Sequence, residues 1–66
     1  EIAFVVKELN STTSKLSMRS KIKNVAEICS AFGGGGHKLA AGAVIKAPVQ
    51  SAVNLVLEEI NNQKLC

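Results

Sequence analysis

The stretch Phe32-Gly33-Gly34-Gly35-Gly36-His37-Lys38-Leu39-Ala40-Ala41-Gly42-Ala43 decides how this chain is read. One glycine is enough to end a helix. Each glycine also loses more backbone freedom on folding than any other residue. Three further glycines in a row therefore point to backbone that approaches something closely. Amide N–H groups free of side chains can converge on an anion, and His37 with Lys38 adds donors and charge at that place. A helix cap followed by a flexible loop remains open as the plainer reading.

Working outward toward the N-terminus, Asn24 is placed to cap a helix, with Glu27 three residues on to complete a capping box. Val25, Ile28, Cys29 and Phe32 then follow the i, i+3, i+4, i+7 spacing of one helical face, which Gly33 ends. Further back, Ile2-Ala3-Phe4-Val5-Val6 reads as a buried strand. In Lys15-Leu16-Ser17-Met18-Arg19-Ser20 the apolar and polar residues alternate, so Leu16 and Met18 share one face and Ser17 and Arg19 the other. The polar cluster Asn10 to Ser14 joins these two strands as an antiparallel hairpin.

Toward the C-terminus, Ala40 to Ala47 reads as a third strand, and Pro48 opens a second helix. Val49, Val53, Val56, Leu57 and Ile60 form its apolar stripe. The order is β-β-α-β-α. The fold class expected is α/β (α+β): a small mixed sheet with helices packed on one face. The β2–α1–β3 connection is right-handed if those strands pair in parallel.

Composition narrows the chemistry. Nearly half of the 66 residues are apolar, which excludes a disordered chain. Phe4 and Phe32 are the only aromatics, too few for a platform on which bases stack. Eight Lys or Arg stand against five Glu and no Asp, a net charge of +3 that suits an anionic partner without demanding one. Without Asp, and with the Glu scattered, the chain cannot build a carboxylate cluster for metals. His37, the one histidine, has no second His, Asp or nearby Cys with which to hold zinc, so it is read as a hydrogen-bond donor to an oxyanion. Cys29 and Cys66 are far apart, which argues against a disulfide-stapled secreted domain and for a reducing, cytoplasmic setting. Lys7, Lys23, Lys46 and Lys64 are read as ordinary surface charges. The sequence has no signal peptide or long apolar span, and it begins without Met, as if cut from a longer polypeptide.

The glycine run is neither a Walker A loop, which needs Gly-Lys-Ser/Thr, nor G-x-G-x-x-G, since Lys38 and Leu39 break it. Its place is also inverted: it follows a helix and precedes a strand. The second candidate segment is Ser17-Met18-Arg19-Ser20-Lys21, where Arg19 is suited to a bidentate pair with a phosphate and the Ser20 hydroxyl to a further bond. An ordinary solvated strand face is the plainer reading.

Together, Ser17-Met18-Arg19-Ser20, Asn24-Val25-Ala26-Glu27-Ile28 and the run from Phe32 to Ala43 resemble the DHH-associated domain of DHH-family phosphoesterases. The resemblance covers nearly the whole chain, and Gly-Gly-Gly-His followed by Ala-Ala-Gly is its specific part. It implies a single domain over residues 1–66, the C-terminal part of a two-domain phosphoesterase. The N-terminal domain of that family carries an Asp-His-His motif that binds two metals, usually manganese. The members most similar are bacterial oligoribonucleases that also remove phosphate from 3′-phosphoadenosine 5′-phosphate.

Carried onto this chain, the resemblance implies that Arg19 and Ser20 grip a substrate phosphate. It implies that Gly34, Gly35 and Gly36 offer backbone donors and Lys38 a charge beside them. His37 is then the catalytic residue, aimed at the scissile phosphate. No cofactor is expected in the 66 residues themselves. The partners expected are short single-stranded RNA or nucleotide phosphates and the Asp-His-His domain, with no membrane; a homodimer is compatible. Met18 stands where the family often has Leu, a harmless exchange on an apolar face. Without an Asp-His-His half, the fragment is expected to be inactive alone. Two other readings stand beside this one: a non-catalytic RNA-binding module like the domain that ends alanyl-tRNA synthetases, and a purely structural or dimerising domain.

Overall fold

The computed structural model describes residues 2–63, so Lys64 and Cys66 lie outside the described residues. Its elements follow the order β1 (Ile2–Asn10), β2 (Thr13–Ser20), α1 (Val25–Ala31), β3 (Gly35–His37), β4 (Ala40–Ile45) and α2 (Val49–Asn62). The four strands form one sheet in the order β1-β2-β4-β3, with every neighbouring pair antiparallel. The α+β class is the one the sequence predicts, with one strand more. The glycine run itself supplies β3 and turns back on β4 through Lys38 and Leu39. That reversal makes the strand beginning at Ala40 antiparallel to β2, so no parallel pairing of adjacent strands arises.

Alternation along the strands sets the two faces. Ser14, Leu16 and Met18 of β2 and Ala43 and Ile45 of β4 are buried, and Ile2, Phe4 and Val6 of β1 pack beside them. Both helices cover this face. From α1 come Val25, Ile28 and Cys29, and from α2 come Ala52, Val56 and Ile60. Burying such side chains stabilises a domain by about 1.5–3 kcal/mol each. Leu57 does not join this stripe and is 52% exposed. The helix is turned so that the buried residues 52, 56 and 60, spaced by four, lie on its inward face. Pro48 occupies the N-cap, one residue ahead of the helix it opens.

Four hydrogen bonds hold the connections. Asn24 Oδ1 accepts from the Ala26 N–H at 3.1 Å and caps α1. The buried Ser14 hydroxyl donates to the Ala47 carbonyl at 2.7 Å and ties the β4–α2 link to β2. The Ser20 and Val25 N–H groups donate to the Leu39 and Lys38 carbonyls at 3.0 and 2.7 Å, anchoring the β3–β4 turn to the end of β2 and the start of α1. Among the described residues no helix is long and apolar enough to cross a membrane.

Candidate functional site

The face of the sheet opposite the helices is open, and the register decides what meets there. Arg19 pairs with Ala40, and Ala40 pairs with His37. Directly paired residues share a face. Arg19, Ala40 and His37 therefore form one row across three strands. Neighbouring strands lie about 4.8 Å apart, which puts the backbones of Arg19 and His37 roughly 10 Å from each other with only a methyl group between. The next row along is Ser17, Gly42 and Gly35. Between the rows runs a groove of about 290 Å³, lined by Ser17, Arg19, Gly35, Gly36 and the small residues Ala40, Ala41 and Gly42.

The four glycines have different reasons to be there. Gly33 ends α1 in a left-handed conformation (φ 83°); its N–H donates to Ser30 O, and the Gly34 N–H donates to Cys29 O. This is a Schellman cap. A Cβ on Gly34 would lie 2.6 Å from Ala43 Cβ and 2.7 Å from its Cα, and one on Gly36 2.8 Å from the Ala40 carbonyl oxygen. Gly36 also has a φ of 142°, where L side chains are strained. Gly35 differs, because a Cβ there would meet nothing within 4 Å. The fold does not require glycine at position 35, which lines the groove.

β3 is the outermost strand, so one set of its backbone groups points away from β4 and is paired by no described strand. Of the predicted backbone donors, Gly34 is taken up by the helix cap, which leaves Gly35 and Gly36 beside the groove. Ser20 lies on the helix side of β2, where its Oγ accepts from the Ile22 and Lys23 N–H groups at 3.2 and 2.7 Å. The hydroxyl that lines the groove is that of Ser17. Alternation alone held that signal, since Leu16 and Met18 inward places Ser17 and Arg19 outward together. Lys38 sits in the β3–β4 turn with its side chain exposed, next to His37.

Charge is sorted between the faces. By register Lys7 and Lys15 are opposite each other on the open face, one row beyond Ser17, so this face carries Lys7, Lys15, Arg19 and His37. The described carboxylates lie elsewhere: Glu8 opposite the buried Ser14, Glu27 on α1, Glu58 and Glu59 on α2. With cations and no carboxylate among its described residues, the open face attracts anions. Among the described residues no three His, Cys, Asp or Glu side chains come together where they could hold a metal ion. Cys29 is buried on the inward face of α1, and desolvation pushes its thiol pKa up from the ordinary 9.0, which disfavours the thiolate.

A protein-family model described as the DHHA1 domain matches residues 1–64, nearly the whole chain.

Proposed function

From the premise that the chain belongs to the DHHA1 domain family, typical of DHH-family phosphoesterases, we propose that its open sheet face holds the substrate phosphate for such an enzyme. The observation that carries this reading is the row Arg19–Ala40–His37 above a groove floored by glycine and alanine. Arg19 takes two phosphate oxygens in a bidentate pair. Ser17 and the backbone of Gly35 and Gly36 supply shorter-range donors. His37, across the floor from Arg19, donates to an oxygen of the scissile phosphate and steadies the charge that develops there. Lys38 contributes field rather than contact, and Ser20 supports Arg19 by holding the turn after β2.

DHH-family phosphoesterases are generally metal-dependent, and the described residues of this chain gather no metal-binding cluster. The metals, manganese by the resemblance, would be held by an Asp-His-His domain and would there activate the attacking water, while the DHHA1 domain supplies the grip. The substrates proposed are short oligoribonucleotides and nucleotide phosphates such as 3′-phosphoadenosine 5′-phosphate, acted on in the cytoplasm. The scarcity of aromatic residues means that phosphate and sugar, rather than stacked bases, dominate the contacts made here.

The test is a titration of the isotope-labelled chain with a short oligoribonucleotide, followed through backbone amide and Arg19 side-chain resonances. The expected result is a shift confined to Ser17–Lys21 and Gly33–Lys38 that weakens with added salt and vanishes in Arg19→Ala. Shifts scattered over the helices, or none at millimolar ligand, would count against the site.

A further inference from the structure

Lys38 and Leu39 make the two-residue turn that reverses β3 into β4, and neither residue gives that turn a shape of its own. Tight hairpin turns favour Asn-Gly, Asp-Gly or a leading Gly, because their central residues adopt positive φ. Lysine and leucine offer neither that freedom nor a short side chain that bonds back to its own backbone. The turn is held from outside instead. Its Lys38 carbonyl accepts from the Val25 N–H at 2.7 Å, and its Leu39 carbonyl accepts from the Ser20 N–H at 3.0 Å. The two donors stand at the two ends of the connection between β2 and α1.

That connection is itself braced. Ser20 Oγ accepts from the Ile22 and Lys23 N–H groups, and Asn24 Oδ1 accepts from the Ala26 N–H. The Val25 N–H has no acceptor inside α1, because the first amides of a helix lie beyond its ladder. His37 immediately precedes the turn. It is exposed, on a three-residue edge strand whose other two members are glycines. Pairing with β4 fixes which residue it faces. The donor Ser20 follows Arg19 in the chain and the acceptor Lys38 follows His37, so the two hydrogen bonds clasp the backbone just beyond both side chains.

We propose that the Val25 backbone N–H is a positioning group for the phosphoester chemistry: through the Lys38 carbonyl it holds His37 in place across Ala40 from Arg19. The inference rests on the phosphate reading above. Ser20 shares the task through its own N–H, while its hydroxyl shapes the connection that brings Val25 to the turn. Neither residue touches the ligand.

The experiment uses the labelled chain and the short oligoribonucleotide. Val25→Pro takes away the N–H of the clasp. Proline suits the first position of a helix, and Asn24 before it is already extended (φ −85°, ψ 92°). Val25→Ala keeps the N–H and trims the fully buried side chain. Val25→Pro is expected to keep the helical resonances of α1 and to displace those of His37 and Lys38. It should weaken binding roughly two- to tenfold, the contribution of one hydrogen bond. Val25→Ala is expected to lower the thermal midpoint at least as far and to weaken binding less. In a His37→Ala background, Val25→Pro is expected to cost no further affinity, since a group acting through His37 then has nothing left to place.

Equal losses of affinity from proline and alanine, or the same loss from Val25→Pro with and without His37, overturn the positioning role and leave the phosphate site standing. Should Val25→Pro fail to fold, hydrogen exchange on the parent chain decides. Bound oligoribonucleotide is expected to slow exchange of the Val25 and Ser20 amides more than that of the α2 amides, a difference that His37→Ala abolishes. Uniform slowing overturns the proposal. No binding by the parent chain, or parental affinity in both Arg19→Ala and His37→Ala, overturns the phosphate reading and this inference with it.

Discussion

Arg19 and His37 flank the same residue, Ala40, from opposite sides of β4. They come from segments on either side of α1, yet the register sets them on one face with a methyl group between. Neither side chain supports the core. Their position follows from the hairpin β3–β4, which folds the glycine run back beside the strand that β2 already pairs with. The fold thus delivers a guanidinium and an imidazole to the same open face of the sheet, one on either side of Ala40.

Removing either side chain is expected to cost binding without costing stability. Charge-assisted hydrogen bonds contribute about 1.5–3 kcal/mol each, so Arg19→Ala should weaken oligoribonucleotide binding roughly 10- to 100-fold. Arg19→Lys should recover only part of the loss, because lysine keeps the charge and loses the bidentate fork. His37→Ala should weaken binding less and, in a phosphoesterase carrying the domain, depress turnover more. Both residues are exposed, so thermal midpoints should stay within a degree or two of the parent. A large fall in midpoint would show that the pair is structural.

The glycines can be separated by the same two readouts. Gly36→Ala and Gly34→Ala should destabilise the chain by about 1–3 kcal/mol, because the new methyl meets Ala40–Ala41 or Ala43 and Gly36 has a left-handed φ. Gly35→Ala should leave the fold unharmed, or raise its stability by up to about 1 kcal/mol, since the methyl enters open space. That methyl nonetheless stands in the groove, so phosphate affinity should drop. A stable Gly35→Ala chain that still bound ligand with parental affinity would remove the glycine loop from the site.

Why the sequence showed some of this and hid the rest is a matter of side chains. The alternation of Leu16 and Met18 with Ser17 and Arg19 exposed β2 and its polar face at once. The spacing of Val25, Ile28 and Cys29 exposed α1. Gly35 and Gly36 have no side chains to alternate, so β3 left no period to read, and with it went the antiparallel sense of the sheet. Asymmetry between Ser17 and Ser20 was legible in principle, because inward Met18 puts Ser20 inward too. Reading the neighbours Arg19 and Ser20 jointly as a phosphate grip passes over that alternation. On α2, hydrophobicity alone puts Leu57 in the stripe, whereas the helix is turned so that Ala52, Val56 and Ile60 are buried and Leu57 is exposed.

The two serines should accordingly fail in different assays. Ser20→Ala removes the acceptor for the Ile22 and Lys23 N–H groups and should cost about 1–2 kcal/mol of stability. Denaturant unfolding measures this directly. Ser17→Ala, on the exposed face, should leave the unfolding midpoint unchanged and weaken phosphate binding a few-fold. If instead Ser20→Ala kept full stability and lost ligand, its hydroxyl would belong to the phosphate site after all.

Cys29 gives the fold a pH dependence with a definite sign. Burial raises its thiol pKa above the ordinary 9.0, so the native state holds the proton more tightly than the unfolded chain. Its contribution to stability is fully present below about pH 9 and is lost as the pH rises through the folded-state pKa. In a Cys66→Ser background, a thiol reagent at pH 8 should therefore modify Cys29 only as fast as the chain opens, and denaturant should accelerate labelling steeply. Cys29→Ala should flatten the alkaline limb of the stability curve between pH 8 and pH 10 while lowering stability at neutral pH through the cavity it leaves. An unchanged alkaline limb in that variant would place the origin of any alkaline unfolding in the lysines rather than in this thiol.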